Sequence, residues 1–371
     1  MNSLKLVSLD IDDFKINFKS GVNYIVGNSN SGKTTIFNCI RFSLGLAKSF
    51  FHENISIIKL NVCVNEVYLE FTREVGSVYL SVCVSGVVHK FRALSQDLDD
   101  FLRDILSPDY IYQNNTESVF RVLDFCFLSE EVTKNRRHQW DAVNSICGIN
   151  ISLLKSVEKD INALNKEVQK NKELEKHIDE FASLLIDSVS NREKVSKLVG
   201  DVESTKQVFF SDFREKEQLL VNVSNKLDEI KERLDFELKS KLYEIEEAFF
   251  SLNQYAGFER SFFDELEMFI KDRSKNMSYG EETFSRFILV LAVAKVSRDN
   301  CYNFPQLIVN DSYLSIGLDR VAYEITPAII DDLLAESKEL QYLEFTHRDL
   351  APTKDVVLNL NGQGGFHVFN N

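Results

Sequence analysis

The sequence predicts an α/β fold whose two ends build one mixed domain around an inserted helical hairpin. Three observations carry that reading. A glycine-rich loop near the start joins a short strand to a helix; residues 150–270 become poor in glycine and take up a heptad spacing; residues 271–371 return to mixed strands and helices. The chain has 371 residues, 44% of them hydrophobic and 29 of them Phe, enough for a sizeable core.

Bulk properties exclude several classes. No apolar run approaches the roughly 18–20 residues that span a bilayer, and the start (Met1-Asn-Ser-Leu-Lys5) has no signal-peptide character, so a cytoplasmic location is expected. The cysteines Cys39, Cys63, Cys83, Cys126, Cys147 and Cys301 are scattered, which suits reduced, buried thiols better than disulfides or a zinc site. A net charge of −14 argues against general affinity for phosphate backbones. A local basic groove, above all one completed by dimerisation, stays open.

The first block, residues 1–149, reads as strands, turns and one clear helix. Leu4–Leu9, Lys15–Phe18 and Val22–Val26 are short strands, and Ile55–Val64, Val67–Arg73, Ser77–Val84 and Val87–Phe91 suggest an antiparallel meander with Gly76 and Gly86 in turns. In the second block, residues 150–270, Leu154, Val157, Ile161, Leu164, Val168, Ile178 and Leu185 fit one seam, interrupted by Asn171 and Glu175. Leu220, Val223, Leu227, Ile230 and Leu234 fit the other, followed after a slip by Leu238, Leu242, Ile245, Phe249 and Leu252. An antiparallel coiled-coil hairpin follows, with its tip expected within Ser188–Asp201 and arms about 70 Å long. In the third block, residues 271–371, Phe284–Val296 reads as an apolar helix, and strands are expected at Gln306–Val309, Leu340–Phe345, Val356–Leu360 and Phe366–Phe369.

The chemistry-bearing signal is Gly27-Asn28-Ser29-Asn30-Ser31-Gly32-Lys33-Thr34, followed by Thr35. It matches GxxxxGK(S/T) between a strand and a helix, the context in which backbone N–H groups and a helix N-terminus cradle phosphates. Lys33 is placed to neutralise the β- and γ-phosphates, and the Thr34 hydroxyl to ligate Mg²⁺, which makes ATP and Mg²⁺ the expected cofactors.

Three later stretches narrow the class. Met277-Ser278-Tyr279-Gly280-Glu281-Glu282 precedes the apolar helix and offers a second helix N-terminus, with the Ser278 hydroxyl and Gly280 backbone able to face a γ-phosphate. Pro305-Gln-Leu-Ile-Val-Asn-Asp311 is a buried strand ending in an acid placed to hold Mg²⁺. Tyr342-Leu-Glu-Phe-Thr-His347 is a strand ending in a histidine. In this order they resemble the ABC signature, Walker B and the switch histidine.

With these motifs the chain resembles the SMC/RecN/RecF-like (SbcC-like) branch of ABC ATPases. The opening DDFKINFKSGVNYIVGNSNSGKTTIFNCIRFSLG and the run NDSYLSIGLD, with Asp319 in the D-loop role, carry the likeness at the two ends. The resemblance implies an α/β ABC-type P-loop ATPase head, split into N- and C-terminal lobes by a coiled-coil hairpin. It implies a homodimer in which Ser278, Gly280, Glu281 and Asp319 reach the partner's nucleotide. It also implies ATPase activity in DNA repair or antiphage and plasmid defence, with a separate effector or nuclease subunit and DNA as a possible ligand. The alternative is an ATP-dependent scaffold that holds a protein effector and barely hydrolyses.

Three departures bear on this. Ser312 stands where most relatives have the catalytic Glu, so slow turnover is expected. The Q-loop role falls by pattern on Glu130 in FCFLSEE, with Gln113 in YIYQNN as the alternative. The arms are short and carry no CxxC hook.

Overall fold

The computed structural model describes residues 3–50, 52–106, 118–129, 136–147, 151–188, 192–255, 266–271, 279–299, 304–311, 320–337, 339–347 and 355–360. It divides into two compact units. One comprises Met1–Ile149 with Leu238–Asn371, and the other Asn150–Glu237.

The first unit begins with strands β1 (Leu4–Ile11), β2 (Phe14–Asn17) and β3 (Gly21–Val26), then helix α1 (Lys33–Ser43) and strands β4 (Ile57–Val64), β5 (Val67–Glu74), β6 (Tyr79–Val84) and β7 (Val87–Arg92). Six of these strands form one antiparallel sheet in the order β2-β1-β4-β5-β6-β7. The meander expected from the sequence therefore extends to include β1 and β2. Its hairpins close on residues that accept positive φ, Asn65 (47°) with Glu66 (67°) and Ser85 (51°) with Gly86 (83°); such turns match the right-handed twist of the strands they join. One face is core, with Leu6, Leu9, Ile58, Leu60, Val62, Phe71 and Val82 all at most 1% exposed.

The second sheet runs β11-β3-β10-β9-β8, with β8 (Phe127–Leu128), β9 (Leu307–Asp311), β10 (Gln341–Thr346) and β11 (Val356–Asn359). Each pairing in it is parallel. Both β9 and β10 are near-continuous buried runs, as befits strands covered on both faces. On one face Phe37 of α1 meets Phe127 and Phe345 at centroid distances of 5.7 and 5.9 Å. On the other, Phe287 of a long apolar helix lies 6.3 Å from Tyr342. The two sheets are stitched by Gln341, whose side chain accepts from Leu6 N (2.7 Å) and donates to the carbonyls of Leu6 (2.9 Å) and Lys19 (2.8 Å).

Further helices are α2 (Gln96–Leu106), α3 (Val119–Phe125), α4 (Arg136–Ile146), α5 (Ile151–Ser188), α6 (Arg192–Tyr255), α7 (Leu266–Lys271), α8 (Tyr279–Asp299) and α9 (Arg320–Glu336). Three of them, α2 to α4, lie in a block read from the sequence as having one helix. For α2 a signal existed: Leu98, Leu102 and Leu106, four residues apart, are its buried stripe. Helix α8 starts five residues before the expected Phe284, because Glu281 and Glu282 suit the positive end of a helix. Cys39, Cys126 and Cys147 are buried free thiols, whereas Cys63 and Cys83 are half-buried. The expected strand at Phe366–Phe369 and Cys301 lie outside the described residues.

In the second unit α5 and the first part of α6 pair antiparallel. The first-arm seam residues Val157, Ile161, Leu164, Val168 and Ile178 are half-buried as expected. On the second arm Leu227 and Leu234 are half-buried as expected, but Val223 and Ile230 are 45% and 50% exposed, and Ser224 is half-buried in place of Val223. Cross-arm pairs Lys172–Glu217 (2.7 Å) and Lys231–Glu158 (2.5 Å) fix the register, and Lys206 pairs with Asp179. Gly200 sits inside α6 rather than in the tip, since a single glycine costs an exposed helix only about 1 kcal/mol. The slip of register after Leu234 has a structural cause. From Leu238 onward α6 belongs to the first unit, where Ile245 and Phe249 are fully buried and Phe249 packs on Phe269 at 5.2 Å.

One buried cation holds the far end of α1. Arg73 is 1% exposed, and its guanidinium donates to the carbonyls of Phe42 (2.8 Å), Ala47 (2.7 Å), Lys48 (2.7 Å) and Ser77 (2.9 Å) while lying 3.6 Å from the Phe42 ring centroid. Burial lowers its pKa to about 10, so it remains charged at neutral pH. Replacing Arg73 by Met keeps the bulk but strands buried carbonyls, each worth about 1–3 kcal/mol when left unpaired. Arg73→Met is expected to lower stability by about 2–4 kcal/mol in urea unfolding; an unchanged midpoint would show that these carbonyls find other donors.

Candidate functional site

The chemistry-bearing residues gather where the parallel strands end. In an open α/β sheet the carboxyl ends of the strands leave helix N-termini and loop amides facing one crevice. Here β3 ends at Val26, β10 at Thr346 and β9 at Asp311, in adjacent register: Thr346 opposes Val26, and Phe345 opposes Asp311. Gly27 N donates to Thr346 O at 3.2 Å, so the first residue of the glycine loop is tied to the strand that carries His347.

Residues 27–32 form a compact turn. Ser31 N donates to Asn28 O (3.2 Å), Asn30 takes φ 63° and Gly32, the N-cap of α1, takes φ 95°. A left-handed backbone is tolerated by Asn and suits Gly best, in keeping with the asparagine at 30 and the glycine at the cap. Gly27 is required for a different reason: a Cβ there would run into the Ser31 side chain and come within 3.0 Å of Leu360 Cβ. Asn28, Ser29, Asn30 and Thr34 are exposed, and Thr35 is half-buried. The Ser31 hydroxyl is buried without a hydrogen-bond partner.

Lys33 is buried and folds back on its own loop, donating from Nζ to Gly27 O (2.7 Å) and Asn28 O (2.8 Å). Burial lowers its pKa, opposed by the nearby Asp311 carboxylate. Thr34 Oγ1 donates to Asp311 Oδ1 at 3.4 Å, linking positions 277 residues apart. Burial raises the Asp311 pKa to about 6, against the lowering influence of the Thr34 hydrogen bond and the Lys33 charge. Hydroxyl and carboxylate oxygens of this kind suit Mg²⁺, which usually takes one or two protein ligands and completes its shell with phosphate and water. Together with the Ser31 hydroxyl and the loop amides, the residues present fit a Mg²⁺-bound phosphate chain.

The structure thus brings together Gly27 through Thr35, Asp311 and His347. Gly280 and Glu281 lie in the first turn of α8, a separate element. Ser278, Asp319, Ser312, Glu130 and Gln113 lie outside the described residues. Sequence reading passed over the polar support beneath the edge: fully buried Asn310 donates to the Tyr342 hydroxyl (3.2 Å), which donates to Glu344 Oε2 (2.8 Å). The polar residues alternating within YLEFT were the available signal.

The family model for the AAA domain matches residues 6–278. The structure is similar to the Smc head domain with an extended coiled coil bound to the C-terminal domain of ScpA from Pyrococcus furiosus, at 15% identity over 94% of this chain and 91% of that one, with a TM-score of 0.51. It is also similar to the Smc head domain with a coiled coil and joint from Pyrococcus yayanosii, at 16% identity over 94% and 93%, with a TM-score of 0.50. At these identities the likeness is one of fold, and the fold is that of an SMC-type ATPase head with a coiled coil. No curated protein sequence matches the chain.

The raised Asp311 pKa has a stability consequence. The folded state favours the protonated carboxyl, so ionisation costs nothing below the ordinary value of 3.8, and the cost is complete once pH exceeds about 6. Asp311→Asn is therefore expected to stabilise the nucleotide-free protein by about 1–3 kcal/mol at pH 8, with the gain shrinking as pH falls toward 4. Urea midpoints at the two pH values measure this, and a variant less stable than wild type at pH 8 would contradict it.

Proposed function

This chain belongs to the AAA domain family of ATPases, and from that premise we propose that it is an ATP-gated clamp whose nucleotide sites are completed by a second copy. The observation that supports this reading most is the Thr34–Asp311 contact beside Lys33 at the strand ends. In this reading residues 27–33 bind the phosphates, Lys33 exchanging its loop carbonyls for phosphate oxygens. Thr34 and Asp311 hold Mg²⁺, which neutralises phosphate charge when bound. His347 senses the terminal phosphate, and Glu130 or Gln113 supplies the Q-loop contact. Ser278, Gly280, Glu281 and Asp319 of the partner copy close the site.

Ser312 cannot polarise water as a carboxylate does, so turnover is slow. The division into lobes 1–149 and 271–371 around a hairpin 150–270 belongs to the same proposal, as does a cytoplasmic location; among the described residues no helix is long and apolar enough to cross a membrane. We further infer a DNA-related role in defence or repair alongside a separate effector or nuclease subunit, by analogy with the Smc head bound to a domain of ScpA. The second reading, a scaffold that holds an effector without processing DNA, is favoured by Ser312 and by the net charge of −14. Stimulation of turnover by DNA separates the two.

Two experiments test the core claim. Lys33→Ala is expected to abolish ATP binding in calorimetry, whereas Ser278→Arg keeps monomer binding and loses the ATP-dependent dimer in light scattering; ATP retained by the first variant, or a dimer retained by the second, refutes it. Ser312→Glu is expected to raise turnover at least about tenfold if water activation limits the rate, and an unchanged kcat places the activating group elsewhere.

A further inference from the structure

Exposed large hydrophobic residues lie at both ends of the outer strands of the antiparallel sheet: Val67, Tyr68 (66%), Val87 (57%) and Val88 (66%) at the end where the β4–β5 and β6–β7 hairpins turn, and Val78 and Tyr79 (50%) at the other. This side of the sheet ends in β7, the last of the six strands, and no strand among the described residues pairs with its outer side. Its pairing with β6 runs without a bulge from Val84–Val87 to Tyr79–Arg92. It contains no proline. A regular, unpaired edge of this kind is a template for another strand, and the charges it carries restrict which strand can be added.

The two faces of β7 have different chemistry. Val87, His89 and Phe91 oppose Val84, Val82 and Leu80 on the core face, where Phe101 of α2 lies 4.8 Å from the Phe91 ring and 5.3 Å from that of His89. Val88, Lys90 and Arg92 occupy the outer face, opposite Cys83, Ser81 and Tyr79, and both cations are exposed. A strand added here would set alternate residues beside Val87, His89 and Phe91 and beside two positive charges.

We propose that β7 receives an extended segment of a partner protein in which acidic residues alternate with apolar ones, as a seventh strand of the sheet. Backbone pairing supplies affinity in such additions and the alternating side chains supply selectivity. Charge complementarity decides the occupant. A second copy of β7 paired antiparallel in the registers centred on Lys90 or on Phe91 would set Lys90 against its own counterpart or against Arg92, and like charges placed opposite each other are destabilising. Nucleic acid suits the face less well, because laid across the sheet it would meet the carboxylates of Glu70 and Glu74 on β5, whereas a strand added in the plane of the sheet lies beside β7 alone. The assignment rests on the sheet edge alone and stands apart from the nucleotide reading.

The test uses the full chain with three fluorescent probes: a peptide alternating Glu and Val, its Lys–Val counterpart, and single-stranded oligothymidine. The Glu–Val peptide is expected to bind and to slow amide exchange across residues 87–92 of the unmodified protein. The double variant Lys90→Glu/Arg92→Glu, confirmed folded by an unchanged urea midpoint, is expected to bind that peptide at least about tenfold more weakly and to gain the Lys–Val peptide. Absence of Glu–Val binding, exchange protection elsewhere than β7, or indifference to the charge reversal would overturn the proposal. Oligothymidine binding that the double variant loses would overturn it in favour of a nucleic-acid surface.

Discussion

Everything at the strand ends depends on one long-range pairing, that of β3 with β10. Residues 21–26 and 341–346 run parallel in unbroken register, and the Gln341 side chain ties the same strand to Leu6 across 335 positions. Without that closure Lys33, Asp311 and His347 would sit on separate stretches of chain. The entropic cost of closing a loop grows only logarithmically with its length, and much of the intervening chain pays out and back as two paired helices. Bringing the ends together is therefore less costly than the separation implies.

The site is held ready from beneath and behind. Arg73 fastens the carbonyl end of α1, while Gly27 N and Lys33 fasten its amide end to β10 and to the loop's own carbonyls. Between these ties the carboxylate of Asp311 is kept in surroundings that oppose its charge. A cation arriving there would relieve that opposition. The polar Asn310–Tyr342–Glu344 chain lies on the sheet face opposite Phe345 and α1, so Phe345 packs against Phe37 away from those polar groups.

How much could be read beforehand differed by element, for physical reasons. The glycine loop was legible because steric and electrostatic demands at residues 27–34 select particular residue types. Asp311 and His347 were legible because each follows a strand-like run, apolar before Asp311 and alternating before His347. The second-arm seam was misread at Val223 and Ile230, since a helix flank beside the true seam carries the same three-and-four spacing. Helices α2 to α4 were missed because short amphipathic segments between strands lack the sustained periodicity that marked residues 150–270. The early start of α8 reflects two acids at a helix amide end, a local preference that competes with apolar pattern as a boundary marker.

The paired arms of the second unit have one more property. Glu158 and Lys172 are two heptads apart, and so are their partners Lys231 and Glu217. Slippage by one heptad would set Lys172 opposite Ser224 or Phe210, and Glu158 opposite Ser224 or Leu238, dissolving both ion pairs at once. Half-exposed pairs of this sort add little strength. What they provide is a single preferred alignment, so that a push applied along one arm is conveyed to the other and is not lost in sliding.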